Sequence, residues 1–193
     1  MPFLPSLPDT AHLTDLLVRF PRHIEPLMAL NQSILRSEGA LTFAERELIA
    51  AFVSGLNACR FCYGSHAIYA QAFGIEASLI EALLEDFDNA PVSEKIRPLL
   101  AYVRKLNQLP SRLIATDAQA VFGAGWSEEA LVEAIEVTAM FNFMNRLIEG
   151  TGVNFDYDGD TGAHTIQSED PEILNQSYAR YGAKLTAMVE DRD

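Results

Sequence analysis

Four residues in one short stretch of this chain have the types and spacing for thiol redox chemistry: Glu47, Cys59, Cys62 and His66. Cys59 and Cys62 are the two cysteines of the sequence, set as CxxC. His66 follows Cys62 at i+4, so on a helix the two side chains share a face one turn apart. An imidazole beside a thiol and a helix N-terminus beneath it each favour the thiolate, which is the nucleophile. A second thiol within reach can trap a sulfenic acid as a disulfide before further oxidation.

The stretch Thr42–Gly74 must position these groups, and it reads as two helices joined by a very short turn. Thr42 followed by Glu45 forms a capping box that starts a helix at Phe43. Ile49, Phe52, Val53 and Leu56 give that helix an i, i+3, i+4, i+7 apolar stripe. Gly55 suits its C′ position, and Asn57 suits the N-cap of a second helix running from about Ala58 to a C′ glycine at Gly74. Glu47 lies seven residues before Ser54 and His66 eight after Ala58. At helical rise both fall about 10–12 Å from the turn, so antiparallel pairing brings them level. The carboxylate then orients the imidazole. Flanked by Glu45 and Arg46, however, Glu47 taken alone reads as a solvated helix residue, and His66 taken alone as a satisfied core histidine.

Other chemistries fit less well. Cys59, Cys62 and His66, with Glu47 as a fourth, would make a zinc set, but three ligands on one short helix close a tetrahedron badly and no second ligand pair exists. Asp156, Asp158 and Asp160 suggest calcium. An EF-hand loop, though, needs glycine at its sixth position and glutamate at its twelfth, where this chain has Thr161 and Gln167. That segment reads as a solvated loop. His12, His23 and His164 have no partner pattern.

The remaining chain reads as helices. Residues 1–8 form a proline-held arm of a kind that packs on a neighbouring subunit. Asp9 or Thr10 caps a short helix that ends before Pro21 and carries Leu13, Leu16, Leu17 and Phe20. A helix from about Arg22 to Ser37 follows. Beyond Gly74 come helices over Glu76–Phe87, Ser93–Leu109 (with Pro98 kinking its start), a short one capped by Thr116 or Asp117, and Ser127–Glu149. The apolar residues of the Ser127 helix lie almost all round it, which predicts burial at the centre or at a subunit contact. A glycine- and aspartate-rich loop, residues 150–169, leads to a last helix over Pro171–Glu190. Nothing alternates with period two for long, so the fold class is all-α, and neither repeats nor low-complexity segments interrupt it. The expected organisation is a single domain over residues 1–193: arm and first helices to residue 40, core over 41–150, then acidic loop and last helix.

Composition bounds the function. Of 193 residues 49% are hydrophobic and 21% charged, an ordinary globular balance. A net charge of −13 with basic residues nowhere clustered argues against nucleic acid and anionic membrane as partners. The N-terminus lacks a basic n-region and carries Pro2, Pro5 and Pro8, and no run of 18 apolar residues occurs, so the expectation is a cytoplasmic protein without signal peptide or span. CxxC in that compartment points to redox chemistry or metal rather than a structural bridge.

With Arg46, Glu47, Leu48, Cys59, Cys62 and His66 aligned as REL-x11-CxxC-x3-H, the sequence resembles the AhpD-like alkylhydroperoxidase family. This lies within the carboxymuconolactone decarboxylase superfamily, and the resemblance is to its peroxidase-related members. The segments LLAYVRKL and GWSEEALVEAIEVTAMFNFMNRL extend it over about residues 40–150. It implies a helical bundle around a central CxxC hairpin, assembled as a dimer, trimer or hexamer. It implies a dithiol hydroperoxide reductase without metal or organic cofactor, acting on small organic hydroperoxides and reset by an external dithiol of protein or lipoyl type. Glu47 would orient, His66 accept the proton, and Cys62 and Cys59 form the redox pair, with Cys62 activated by His66 and Cys59 the more exposed, exchanging thiol. Phe61 stands where relatives of the founding enzyme carry histidine, so one member of the proton relay is absent. Decarboxylase members act on a lactone without a CxxC pair, which argues against that activity here. Two other readings stay open: a protein disulfide reductase or redox sensor, and a non-catalytic helical oligomer.

Overall fold

Thr42 and Glu45 cap one another as expected: Glu45 N–H donates to Thr42 Oγ1 at 3.2 Å and Thr42 N–H to Glu45 Oε2 at 2.8 Å. The helix they open is the axis of the molecule. A computed structural model describes residues 2–153 and 171–191, and every regular element among them is helical. In chain order these are α1 (Leu13–Arg19), a 3₁₀ turn (Pro21–His23), α2 (Ile24–Arg36), α3 (Phe43–Leu56), α4 (Arg60–Ala72), α5 (Ala77–Glu85) and α6 (Arg97–Leu106). Then follow α7 (Ala115–Gly123), α8 (Glu128–Thr151), α9 (Pro171–Asn175) and α10 (Ser177–Glu190). The fold is all-α, and the acidic loop over residues 154–170, with the aspartates weighed for calcium and His164, lies outside the described residues.

The central position belongs to α3, not to the longer and more apolar-looking α8. Residues 46 to 54 of α3 are buried on all sides, and α2, α4, α5, α6 and α8 pack around it. The small residues Ala50, Ala51, Ser54 and Gly55 permit this, because they let neighbouring helices approach closely. A Cβ on Gly55 would stand 2.5 Å from Leu84 Cδ1 of α5. Gly55 is therefore a helical close-approach residue and not the expected C′ position. The reversal into α4 is made by Asn57 and Ala58, the latter left-handed at φ 55°. Asn57 closes α3 rather than capping α4, and the N-cap of α4 is Cys59 itself. Gly74 does end α4 as a left-handed C′ residue, with Ile75 N–H bonded to Ala70 O at 2.9 Å.

Several boundaries differ for local reasons. His12 precedes α1, its N–H held by Asp15 at 2.8 Å, so neither Asp9 nor Thr10 is the cap. Pro98 lies in the first turn of α6, where it fits without a kink. The last helix is broken at Gln176 into α9 and α10. The N-terminal arm folds back on its own chain: Phe3 N–H bonds Thr151 O at 2.8 Å and Leu7 enters the core. On α8, Ala134, Val137, Phe141 and Ile148 face inward, whereas Val132 and Phe143 are over half exposed.

Candidate active site

Glu47 faces inward with no exposed surface, as it must on a helix buried all round. A carboxylate there is tolerable only if its charge is met. Its Oε2 lies 2.6 Å from His66 Nδ1 and its Oε1 2.5 Å from Arg36 Nη2 at the end of α2. Tyr178 of α10 donates its hydroxyl to the same Oε1 at 3.4 Å. Burial by itself pushes the Glu47 carboxyl up, yet His66 and Arg36 beside it hold it below its ordinary value. Arg36 answers in kind. Burial lowers its proton affinity, but the Glu47 charge more than restores it.

The imidazole is boxed in. Phe141 of α8 meets it edge-on at 4.3 Å between centroids, and Tyr178 lies nearly parallel to it at 6.5 Å and 10°. With Nδ1 committed to Glu47, the other ring nitrogen, Nε2, is the one left for proton exchange. The level pairing of Glu47 and His66 expected from the helical rise is thus what the hairpin forms.

Both cysteines are under the surface. Cys59 is 0% and Cys62 4% exposed, so the expectation of a more exposed Cys59 fails. The reason is the left-handed turn at Ala58, which tucks residue 59 beneath α3. Their sulfurs are 2.6 Å apart. The side-chain contact with Cys62 and the Cys62 N–H both hold Cys59 below the ordinary thiol range, against the pull of burial. The same contact, reinforced by burial, raises Cys62 well above it. Of the two thiols, Cys59 at the helix start is therefore the one whose anion the surroundings favour, and Cys62 the one that holds its proton more tightly.

An amide network lies behind the cysteines that the CxxC pattern does not announce. Asn145 of α8, fully buried, accepts from Asn57 Nδ2 at 2.9 Å and donates to Ser54 Oγ at 3.1 Å, and its side chain also lowers the proton affinity of both thiols. Asn107, the C-cap of α6, accepts from Asn142 at 2.8 Å and donates to Asn57 Oδ1 at 2.9 Å. Glu149, one turn beyond Asn145, opposes it by raising both thiols. The usable signal was two asparagines in the apolar run FNFMN, because an amide inside such a helix must find partners. Arg36 and Tyr178 gave no comparable signal.

Arg46 has a different task from its neighbour Glu47. Its Nη2 lies 2.9 Å from Glu133 Oε2 of α8, and Glu133 also receives Ala40 N–H and Leu41 N–H at 2.8 Å each. This ties the α2–α3 connection to α8. Among the described residues no group of three or more His, Cys, Asp and Glu side chains is arranged to hold a metal ion. Nor is any described helix long and apolar enough to cross a membrane.

Comparison with known proteins matches residues 21–87, which span the hairpin, to the carboxymuconolactone decarboxylase family. No curated protein matches significantly. Among solved structures, an AhpD-core, peroxidase-related protein from Ralstonia eutropha JMP134 aligns at TM-score 0.69 and 21% identity, over 75% of this chain and 76% of that one. A candidate antioxidant defence protein AhpD from Agrobacterium tumefaciens aligns at 0.64 and 22%, over 72% and 93%. The debrominase Bmp8 bound to 2,3,4-tribromopyrrole aligns at 0.63 and 16%, over 88% and 81%. At such identities these likenesses speak to the fold. Residues 21–87, and with them Glu47, Cys59, Cys62 and His66, are similar to the carboxymuconolactone decarboxylase family, and the fold is that of AhpD-like, peroxidase-related proteins.

Proposed function

We propose that the chain is a dithiol hydroperoxide reductase whose working groups are Cys59, Cys62, His66 and Glu47. One observation carries this reading: two sulfurs 2.6 Å apart, on a helix whose next turn bears a histidine held by a buried carboxylate. Cys59 ionises and its thiolate attacks one peroxide oxygen, the O–O bond breaks, and the leaving alkoxide takes from solvent the proton that Cys59 gave up, becoming ROH. Cys59 is then a sulfenic acid. Cys62 gives its proton to His66 and attacks the Cys59 sulfur. The S–S bond forms, and the departing hydroxide takes the proton back from His66 as water. In sum, two thiols and ROOH give a disulfide, ROH and water, and an external dithiol of protein or lipoyl type resets the pair.

This assignment has Cys59, not Cys62, carrying the first negative charge, because Cys59 is the thiol whose surroundings favour ionisation. Burial of both sulfurs suits an oxidant as small as an organic hydroperoxide. The proposed assembly is a homo-oligomer, supported by an open groove of about 870 Å³ between α2 and α8 that exposes Leu30, Val132 and Phe143, and the proposed compartment is the cytoplasm. Sedimentation reads the subunit number. The cycle predicts that one equivalent of cumene hydroperoxide consumes both thiols, and that Cys59→Ser and Cys62→Ser each abolish turnover. Substantial peroxide consumption by the double variant would sink the proposal.

A further inference from the structure

A guanidinium buried beside Glu47 takes no part in the dithiol cycle. Arg36 is nonetheless fixed by an ion pair from Nη2 to Glu47 Oε1 at 2.5 Å and by two hydrogen bonds, Nε to Leu174 O at 3.1 Å and Nη1 to Leu35 O at 2.9 Å. Tyr69, Phe73 and Tyr178 surround its Cζ at 5.0–5.2 Å. Such a cation is held for its charge.

The consequence lies in where protons sit. Arg36 as cation, Glu47 as anion and His66 as neutral imidazole sum to zero. With Glu47 Oε2 facing Nδ1, an imidazole that carries one proton holds it on Nδ1 and leaves the lone pair on Nε2. Without Arg36, a fully buried carboxylate with no cation recruits a proton. If the proton goes to the ring, both nitrogens carry hydrogen. If it goes to Glu47, the carboxylic acid donates to Nδ1, and the imidazole's own proton moves to Nε2. Both outcomes block Nε2.

We propose that Arg36 is a positioning residue that keeps Nε2 of His66 free of a proton at neutral pH, by neutralising Glu47 from the side away from the imidazole. This rests on the reading of His66 as the acceptor of the Cys62 proton. The other titratable groups around the pair do not substitute for it. Tyr69 of α4 and Tyr178 of α10 are phenols whose ionisation burial opposes, and Tyr181 of α10 lies beyond Tyr69. The cysteines precede His66 on α4, with Glu149 of α8 beside them, and α5 brings Glu81 against Tyr63. What α8 sets against the ring is Phe141.

The test is histidine side-chain ¹⁵N–¹H NMR at neutral pH, with the His66 signals assigned by their loss in His66→Gln. In the wild-type protein Nδ1 should be protonated and Nε2 bare. Arg36→Met should put hydrogen on Nε2, and Arg36→Lys, which retains the charge, should return it to bare. A protonated Nε2 in the wild-type protein overturns the proposal, as does an Arg36→Met spectrum like that of wild type. The first of these needs no variant to fold. In a C59S background, adding R36M should slow iodoacetamide alkylation of Cys62 at neutral pH about tenfold or more, moving its acid limb up by about 1–3 pH units. An unchanged alkylation rate beside the expected NMR change would uphold Arg36's effect on Nε2 and overturn the role given to His66 instead.

Discussion

Asn145 sits fully buried between Ser54 and Asn57, and its side chain lowers the proton affinity of both thiols. Neutral donors aimed at a sulfur favour its anion without adding a charge that would have to be balanced. A hydrogen bond to a charged group contributes about 1.5–3 kcal/mol. Asn145→Ala should therefore raise the pH at which Cys59 ionises by about one to two units, followed by thiolate absorbance near 240 nm in a C62S background. No shift would mean that the amide holds the turn and not the charge. Much of the site was legible at this scale. Cys59, Cys62 and His66 announce themselves by spacing within one helix. Glu47 follows from the rise per residue of two antiparallel helices. Arg36, Asn145 and Tyr178 do not, because their contacts depend on α2, α8 and α10 meeting the hairpin, and no short-range pattern records that meeting. Tyr178 reaches Glu47 from 131 positions away.

Among the elements, the hairpin shows what local rules capture and where they stop. The Thr42–Glu45 box and the C′ glycine at Gly74 are backbone events within four residues, and both form as read. The turn between them was misplaced because Gly55 is glycine for a reason outside the hairpin: Leu84 of α5 fills the space its side chain would need. Ala58 then takes the left-handed position with an ordinary side chain. Gly39, before α3, is a second close approach. A Cβ there would run into Glu133 and Arg46, whose side chains are pinned by each other and by Ala40 and Leu41 N–H. These side chains cannot swing away without losing those bonds, so Gly39→Ala should cost about 1–3 kcal/mol, the range of an overpacked site. Urea unfolding reads this directly. A neutral result would show that the α2–α3 connection can shift as a unit.

For the molecule as a whole, the carboxylates set its behaviour in acid. Glu47, Glu133, Asp86 and Asp117 are all held below their ordinary values, Glu47 by His66 and Arg36 against the cost of burial, Glu133 chiefly by the Leu41 and Ala40 N–H groups against the same cost. A carboxylate depressed in the folded state lends stability above its unfolded value, and that stability is lost as pH falls through the folded value. The urea midpoint should thus stay level from about pH 7 to about pH 5 and fall steeply below about pH 4. Glu47→Gln should lower the midpoint at neutral pH and flatten the acid decline. An acid decline as steep as that of the wild-type protein would place the sensitivity elsewhere.

The cover over the Arg36–Glu47 pair also has an order in time. Arg36 and Glu47 are translated before Leu174 and Tyr178, which close over them from 138 and 131 positions downstream of their respective partners. A ribosome-bound chain that has already made its hairpin still lacks the roof of its charge cluster. The Leu174 carbonyl and the Tyr178 hydroxyl are thus the last partners that synthesis can supply to this charge pair.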